Sequence, residues 1–195
     1  MGFLKNLFRG GSPEKDMYRL LSGPSEEMAN EMERIYRNQI SIYQEECDDV
    51  HLSAKGILKA RLFGATFMVF AFGEKWKDES ALNVMTNASS GVAMKPFASS
   101  SYQPTIDRDV AASFAGSFMM DVIRAIASEM RDGPSTPMYR SAGFNALVRL
   151  YEDALKESLG EAAYYTSAVR ERFFPQIAGA VNANLKHMVE WMEEL

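Results

Sequence analysis

Cysteine is almost absent from this sequence. The only one, Cys47, excludes a disulfide within the chain and is typical of a protein from a reducing compartment. It lies in the stretch EECDDV, where four neighbouring carboxylates raise the pKa of a thiol and disfavour a reactive thiolate. The N-terminus also lacks the apolar segment and the small-residue cleavage site of a secretory signal. We therefore expect a cytoplasmic protein.

Residues that usually carry catalysis are scarce as well. There are two histidines, His51 and His187, and the motifs GxSxG, GxGxxG and GxxxxGK[ST] do not occur. Asp48 and His51 are spaced as in half of a di-iron site, but no second carboxylate-x-x-His follows, and the pair falls at a predicted turn. The sequence therefore assigns no catalytic residue, no metal ligand and no cofactor, and we expect a protein that is not an enzyme.

An excess of positive charge is missing too. The chain has 21 basic and 26 acidic side chains, a net charge of -5, and the two signs are interspersed along most segments. Binding to nucleic acid requires concentrated lysine and arginine to neutralise phosphates. Nucleic acid is therefore an unfavourable partner for this protein.

Long hydrophobic runs are limited to one stretch, residues 57–72, ILKARLFGATFMVFAF. Its last eleven residues carry no charge, and large apolar side chains point to every side of a helix. Eleven helical residues span only about half of the hydrocarbon layer of a membrane, so the stretch is too short to cross one. We predict instead that it forms the buried central helix, about residues 51–73, of an all-α bundle.

The remaining pattern predicts about seven main helices in one domain, residues 13–195. No segment shows the alternation of a half-buried strand, and 195 residues can bury a core without disulfides or metals. Apolar positions at helical spacing, with Ser, Thr, Asp or Pro at the starts and Gly or Pro at the ends, delimit the helices. Besides the central helix, they lie at about residues 24–46, 78–87, 105–130, 135–160, 161–175 and 175–195.

Ser25 and Thr105 are the expected caps of the helices 24–46 and 105–130. The apolar seam of the helix 24–46, interrupted once, consists of Met28, Met32, Ile35, Gln39 and Ile42. On the helix 105–130, close approach to the central helix is expected at Ala111, Ala112, Ala115 and Gly116.

Residues 88–104, ASSGVAMKPFASSSYQP, predict a long serine-rich loop. Two prolines interrupt this segment, and loops of such length are usually functional or disordered. Met94, Phe97 and Tyr102 give it more apolar side chain than a spacer needs. These three residues are our candidates for contact with a partner.

Asp121 is the most unusual carboxylate, because it interrupts an apolar stretch in the predicted helix 105–130. The favoured interpretation is a local ion pair with Arg124, three residues further on the same helix face. The alternative is that Asp121 meets Arg61 of the central helix and orders a polar pocket beside the core. Small residues on the helix 105–130 also suggest that it approaches the central helix closely.

The first twelve residues are predicted to form a separate arm. Its apolar side chains lie on one face of a short helix, and a Gly-rich linker follows; these side chains are Phe3, Leu4, Leu7 and Phe8. Lys5 and Arg9 beside them would allow contact with an anionic membrane surface, although two helical turns with two positive charges make a weak anchor. We therefore favour docking of the arm on protein.

Three functions are compatible with these observations. The first is a non-enzymatic bundle that acts through protein-protein contacts and self-associates, with the arm and the loop 88–104 as contact elements. The second is a bundle that binds a small apolar ligand between the central helix and the helix 105–130, with the loop as a lid. The third is peripheral attachment to a membrane through the arm.

Overall fold

The structure is a computed structural model that describes residues 23–46, 48, 50–73, 79–132 and 142–159. Within these ranges the chain forms five α-helices and no strand, which confirms the all-α prediction. They are α1 (Pro24–Glu46), α2 (Ala54–Gly73), α3 (Glu79–Met94), α4 (Arg108–Asp132) and α5 (Ala142–Leu159), with a short 3-10 helix, Lys95–Ala98, after α3. The arm and the predicted helices 161–175 and 175–195 lie outside the described residues, so the count of about seven helices stays a prediction.

Helix α1 has nearly the predicted bounds but a different start signal. Pro24 is its first residue, where a missing N–H is tolerated, and Glu27 N–H donates to the Gly23 carbonyl at 2.9 Å. We expected Ser25 to cap the helix, but Ser25 lies inside the first turn, and its buried hydroxyl has no hydrogen-bond partner. The predicted apolar seam is confirmed for its first four positions, which are Met28, Met32, Ile35 and Gln39; the fifth, Ile42, is exposed.

Helix α2 packs against each of the other four helices that the structure describes. From Gly56 to Thr66 every residue except Lys59 is buried, so this part of the helix is enclosed on all sides. The predicted end at Gly73 is confirmed, whereas the helix begins at Ala54 rather than near Val50. A position at the centre of the complete bundle stays a prediction, because it also depends on residues that are not described.

Two glycines of α2 allow α1 to pack directly on its backbone. A Cβ added to Gly64 would lie 2.5 Å from the Met28 carbonyl oxygen, and one added to Gly56 would lie 1.9 Å from the Tyr36 hydroxyl. Gly56 of α2 lies next to Tyr36 of α1, and Gly64 lies next to Met28. Residue numbers therefore rise along α2 where they fall along α1, and the two helices are antiparallel. This close approach brings Arg61, which lies between the two glycines in the sequence, next to polar groups of α1.

The predicted loop 88–104 is wrong for most of its length. Residues 88–94 continue α3, the 3-10 helix follows, and irregular backbone begins only at Ser99. Ser89, Ser90 and Gly91 suggested a turn, but Ser89 is fully buried, as are Val92 and Ala93. Small side chains at these positions let α3 pack closely on its neighbours, and this packing outweighs the weak local preference of serine and glycine for turns.

Helix α4 starts later than predicted. Asp107, not Thr105, is the capping residue, because its carboxylate accepts the backbone N–H groups of Asp109 at 2.9 Å and Val110 at 3.1 Å. Ala111 and Ala115 face the core as expected for a closely packed helix, and the Thr66 hydroxyl of α2 lies 3.9 Å from the Met119 sulfur. Ala112 and Gly116, which we expected at the same contact, are exposed.

Candidate functional site

Arg61 is the most deeply buried charged side chain among the described residues. Only 1% of it is exposed, and its guanidinium joins three helices. Nη1 donates to Asn30 Oδ1 at 2.8 Å and to Glu33 Oε2 at 2.6 Å, both on α1, and Nε donates to the Ala93 carbonyl oxygen at 2.8 Å, near the end of α3. Nη2 is buried and has no hydrogen-bond partner within the part of the chain that the structure describes. Arg61 thus links α1, α2 and α3 through a single planar group.

Glu33 extends this link to the segment after α3. Its Oε1 accepts Arg37 Nε at 2.7 Å and the Tyr102 hydroxyl at 2.5 Å, while Arg37 Nη2 donates to the Gln103 carbonyl oxygen at 2.7 Å. The Arg37 guanidinium also lies over the Tyr102 ring, 5.6 Å from its centroid. We call Arg61, Glu33, Arg37 and Tyr102 the buried polar network.

The carboxylate of Glu33 is held ionised by these donors. Burial alone would raise its pKa, but the hydrogen bonds from Tyr102, Arg37 and Arg61, with the positive charge of Arg61, outweigh burial and place the pKa below its usual value. Burial and the hydrogen bond to Glu33 raise the pKa of Tyr102 to about 12. At neutral pH the network therefore holds one carboxylate, two guanidinium groups and a neutral phenol.

The predicted pair of Arg61 and Asp121 is wrong. Arg61 pairs with Glu33, and Asp121 lies on the outer face of α4, where its side chain is 60% exposed and 3.4 Å from Arg124. The favoured interpretation of Asp121, a local ion pair with Arg124, is therefore confirmed. The partner of Arg61 was missed, although the i, i+4 spacing of Glu33 and Arg37 was a signal for a polar patch beside the apolar seam of α1.

The three contact candidates of the predicted loop pack on their own chain. Met94, Phe97 and Tyr102 are half-buried against the core, and the Phe97 and Tyr102 rings meet edge to face with centroids 4.8 Å apart. Tyr102 and Gln103 are held on α1 by the network described above. These side chains are therefore partly occupied by contacts within their own chain, and Tyr102 and Gln103 are tied to α1.

A second buried polar cluster joins α1 to α5. The Tyr36 hydroxyl is hydrogen-bonded to the Ser158 hydroxyl, which also accepts the Ser53 N–H at 2.9 Å. One turn further along α1, the Tyr151 hydroxyl donates to Gln39 Oε1 at 2.9 Å. Burial raises the pKa of Tyr36 to about 12 and also raises that of Tyr151. Both phenols are therefore neutral, and the cluster fastens the turn before α2 to the end of α5.

The outer face of α4 differs from the other described surfaces. Two of its apolar side chains are prominent, Met120 at 50% and Val110 at 45% exposure. The exposed positions between them are small and uncharged, namely Ala112, Ser113, Gly116 and Ser117. No atom of the described residues lies within 4 Å of a Cβ built on Gly116. We call this the α4 outer face; the sequence reading missed it, because uncharged residues on both sides of the helix suggested full burial.

Two groups of candidate residues from the sequence remain, the apolar side chains of the arm and the turn at His51. Phe3, Leu4, Leu7 and Phe8 lie outside the described residues. His51 is exposed at the turn before α2, and within the described ranges no three His, Cys, Asp or Glu side chains are grouped so that they could hold a metal ion. In the same part of the chain, no helix combines the length and apolarity needed to cross a membrane.

Comparison with known proteins gives no relative. No protein-family model, no curated protein and no solved structure matches this chain. Its function must therefore be argued from its own residues.

Proposed function

We propose that this protein is a non-enzymatic, cytoplasmic helical bundle that acts through protein-protein contacts and self-associates. In this proposal the bundle has about seven main helices with α2 at its centre, and the surface that binds partners lies on the outside of the bundle. The observation that carries it is the α4 outer face, where Val110 and Met120 stand exposed on either side of small, uncharged residues. The absence of charge from the whole stretch between them distinguishes this face from an ordinary solvated helix face, which carries charged residues.

The use of the buried polar groups supports the same proposal. Glu33 is occupied by Arg61, Arg37 and Tyr102, and the Tyr36 and Tyr151 phenols are tied to neighbouring helices. Groups engaged in this way stabilise the packing of the helices. Because these groups are occupied inside the bundle, a partner would bind at the surface. Among the described surfaces, the α4 outer face is the strongest candidate for that contact.

The direct test is the mass of the full chain in solution as a function of concentration. Light scattering coupled to size exclusion should give a mass that rises from 21.8 kDa towards twice that value as the protein is concentrated. A mass of 21.8 kDa at every concentration would contradict self-association. Deletion of residues 1–11, measured in the same way, separates the contribution of the arm from that of the bundle.

Two other functions receive less support. A small apolar ligand between α2 and α4 would need a lid, but Tyr102 and Gln103 hold the proposed lid segment on α1. Attachment to a membrane surface would depend on Phe3, Leu4, Leu7 and Phe8 of the arm. Co-sedimentation of the full chain and of the arm deletion with anionic liposomes tests that possibility directly.

A further inference from the structure

We propose that two copies of this chain pack antiparallel through their α4 outer faces, around a twofold axis between Gly116 and Ser117. This inference rests on the proposed function and specifies its interface. It commits to a second copy as the occupant of the face. Three features of α4 support it: the spacing of its exposed residues, the position of its charges and the size of the side chains at its centre.

The exposed residues form a seam with the spacing of packed helices. Asp109, Ser113, Gly116 and Met120 follow one another at intervals of four, three and four residues, and all are exposed. Repeats of three and four residues keep one stripe of a helix facing a partner over several turns. The stripe from Asp109 to Arg124 is about 24 Å long at the helical rise per residue. That length gives about four helical turns, which is sufficient for a pair of packed helices.

The charges of the stripe are placed for pairing with a second, antiparallel copy. Asp109 and Arg124 lie at equal distances along the sequence from the midpoint between Gly116 and Ser117. A twofold axis at that midpoint brings Asp109 of each copy opposite Arg124 of the other. Arg124 also contacts Asp121 of its own helix at 3.4 Å, so the interface would close with two clusters in which one arginine lies between two carboxylates. A parallel arrangement would instead set like charges side by side. Charge complementarity therefore favours a second copy in the antiparallel orientation.

Small side chains at the centre permit close approach. Gly116 and Ser117 lie at the axis and Ser113 lies one turn away, where Met120 of the other copy would cover it. Met120 is half exposed in the single chain, and open space surrounds Gly116. Contact between two copies would bury these apolar atoms without moving any described helix. The same face would reject a large or charged side chain at its centre.

The first test introduces a charge at the axis. Gly116→Lys should lower the dimer association constant of the full chain at least about tenfold, because two lysines would meet at the centre of the interface. Circular dichroism should show unchanged helix content, since position 116 faces open space. Asn38→Lys, on the exposed face of α1, is the matched control and should leave association unchanged. A dimer that persists in Gly116→Lys would overturn this interface but leave self-association standing, whereas a wild-type monomer would overturn both.

The second test reverses the charges at the ends of the stripe. Asp109→Arg and Arg124→Asp should each weaken the dimer about tenfold, because each variant sets like charges opposite one another twice. Both reversals are made in an Asp121→Asn background, because Asp121 is the partner of Arg124 within the chain. In that background the double variant should restore association to within about twofold of Asp121→Asn alone. Failure of this rescue would exclude the antiparallel arrangement.

The third test distinguishes a second copy from a covering segment of the same chain. In a Cys47→Ser background, Ser117→Cys should cross-link into a dimer under mild oxidation, whereas Ser41→Cys on the exposed side of α1 should not. If residues 160–195 cover the face instead, Ser117→Cys will neither cross-link nor react with a maleimide, and the proposal is wrong. Rapid labelling when dilute, with protection as the protein is concentrated, would support it.

Discussion

Removal of the Glu33 carboxylate should destabilise this protein much more than removal of its partner Arg61. In Glu33→Gln, the Arg61 guanidinium stays buried in the core without a counter-charge, and its acceptors are then all neutral: Asn30, the Ala93 carbonyl and the single amide oxygen of the new glutamine. A buried charge that loses its counter-charge typically lowers the free energy of unfolding by about 3–5 kcal/mol. Among the described residues, Nη2 of Arg61 has no acceptor even in the wild type, so the site has no spare acceptor to stabilise the guanidinium once the carboxylate is gone.

In Arg61→Met the group that remains, the Glu33 carboxylate, keeps most of its hydrogen bonds. Glu33 keeps its hydrogen bonds from Arg37 and Tyr102, its side chain is 12% exposed, and methionine fills much of the volume of arginine. We therefore expect a loss of about 1–2 kcal/mol, because three hydrogen bonds of Arg61 are broken but the cost of burying its charge is removed with them. In the double variant Glu33→Gln with Arg61→Met, the effects should be far from additive, because the buried charge and its partner leave together.

Urea denaturation followed by circular dichroism at neutral pH measures these differences. Glu31→Gln is the matched control, because it removes a carboxylate two residues away that pairs with Arg34 on the exposed side of α1. A surface pair of this kind contributes up to about 1 kcal/mol. Equal effects for Glu33→Gln and Glu31→Gln, or a larger effect for Arg61→Met than for Glu33→Gln, would refute the argument from burial.

Three further predictions follow from single contacts and use the same denaturation assay. Gly64→Ala should lower the free energy of unfolding by about 1–3 kcal/mol, because its Cβ would meet the rigid Met28 carbonyl at 2.5 Å. Gly116→Ala, measured on dilute monomer, should instead raise the free energy of unfolding by up to about 1 kcal/mol. Equal effects of the two variants would contradict the argument from close packing. Asp107→Ala should lower the free energy of unfolding by about 0.5–2 kcal/mol, because the N-terminal cap of α4 is lost. Unchanged stability would show that Asp107 does not cap α4. The pKa of Glu33 is lowered on folding, so its contribution is complete above its unfolded pKa near 4.5 and is lost as pH falls through the folded pKa. Between about pH 6 and about pH 3, Glu33→Gln should therefore lose less stability than wild type, and parallel curves would contradict this.

The sequence was sufficient for the helices that have strong periodic patterns. The bounds of α1 and the ends of α2 and α5 followed from apolar spacing, Pro24 and the glycines at positions 73 and 160. It failed in α3, where serine and glycine suggested a turn. Fully buried neighbours, including Ser89, show that packing decides the conformation there. A local propensity of a few tenths of a kcal/mol per residue cannot reveal that outcome in advance.

The pairing of Arg61 was beyond sequence reasoning for a different reason. The sequence places Arg61 in an apolar stretch and so indicates that it needs a partner, but several carboxylates were compatible with that role. The choice of Glu33 depends on the register of α1 against α2, which the contacts at Gly56 and Gly64 determine. These contacts are tertiary, and no local pattern in either helix encodes them.

A comparison of the exposed sides of α1 and α4 supports a contact at the α4 outer face. Both helices bury one side in the core, but α1 covers its outward side with charged and polar residues such as Glu27, Arg34 and Asn38. Over the eleven residues from Val110 to Met120, α4 carries no charge on either side. A helix that faced only water would gain solubility from charges at those positions and lose nothing in packing. Their absence from α4 is therefore best explained by contact, which would be impaired by the same charges that suit α1.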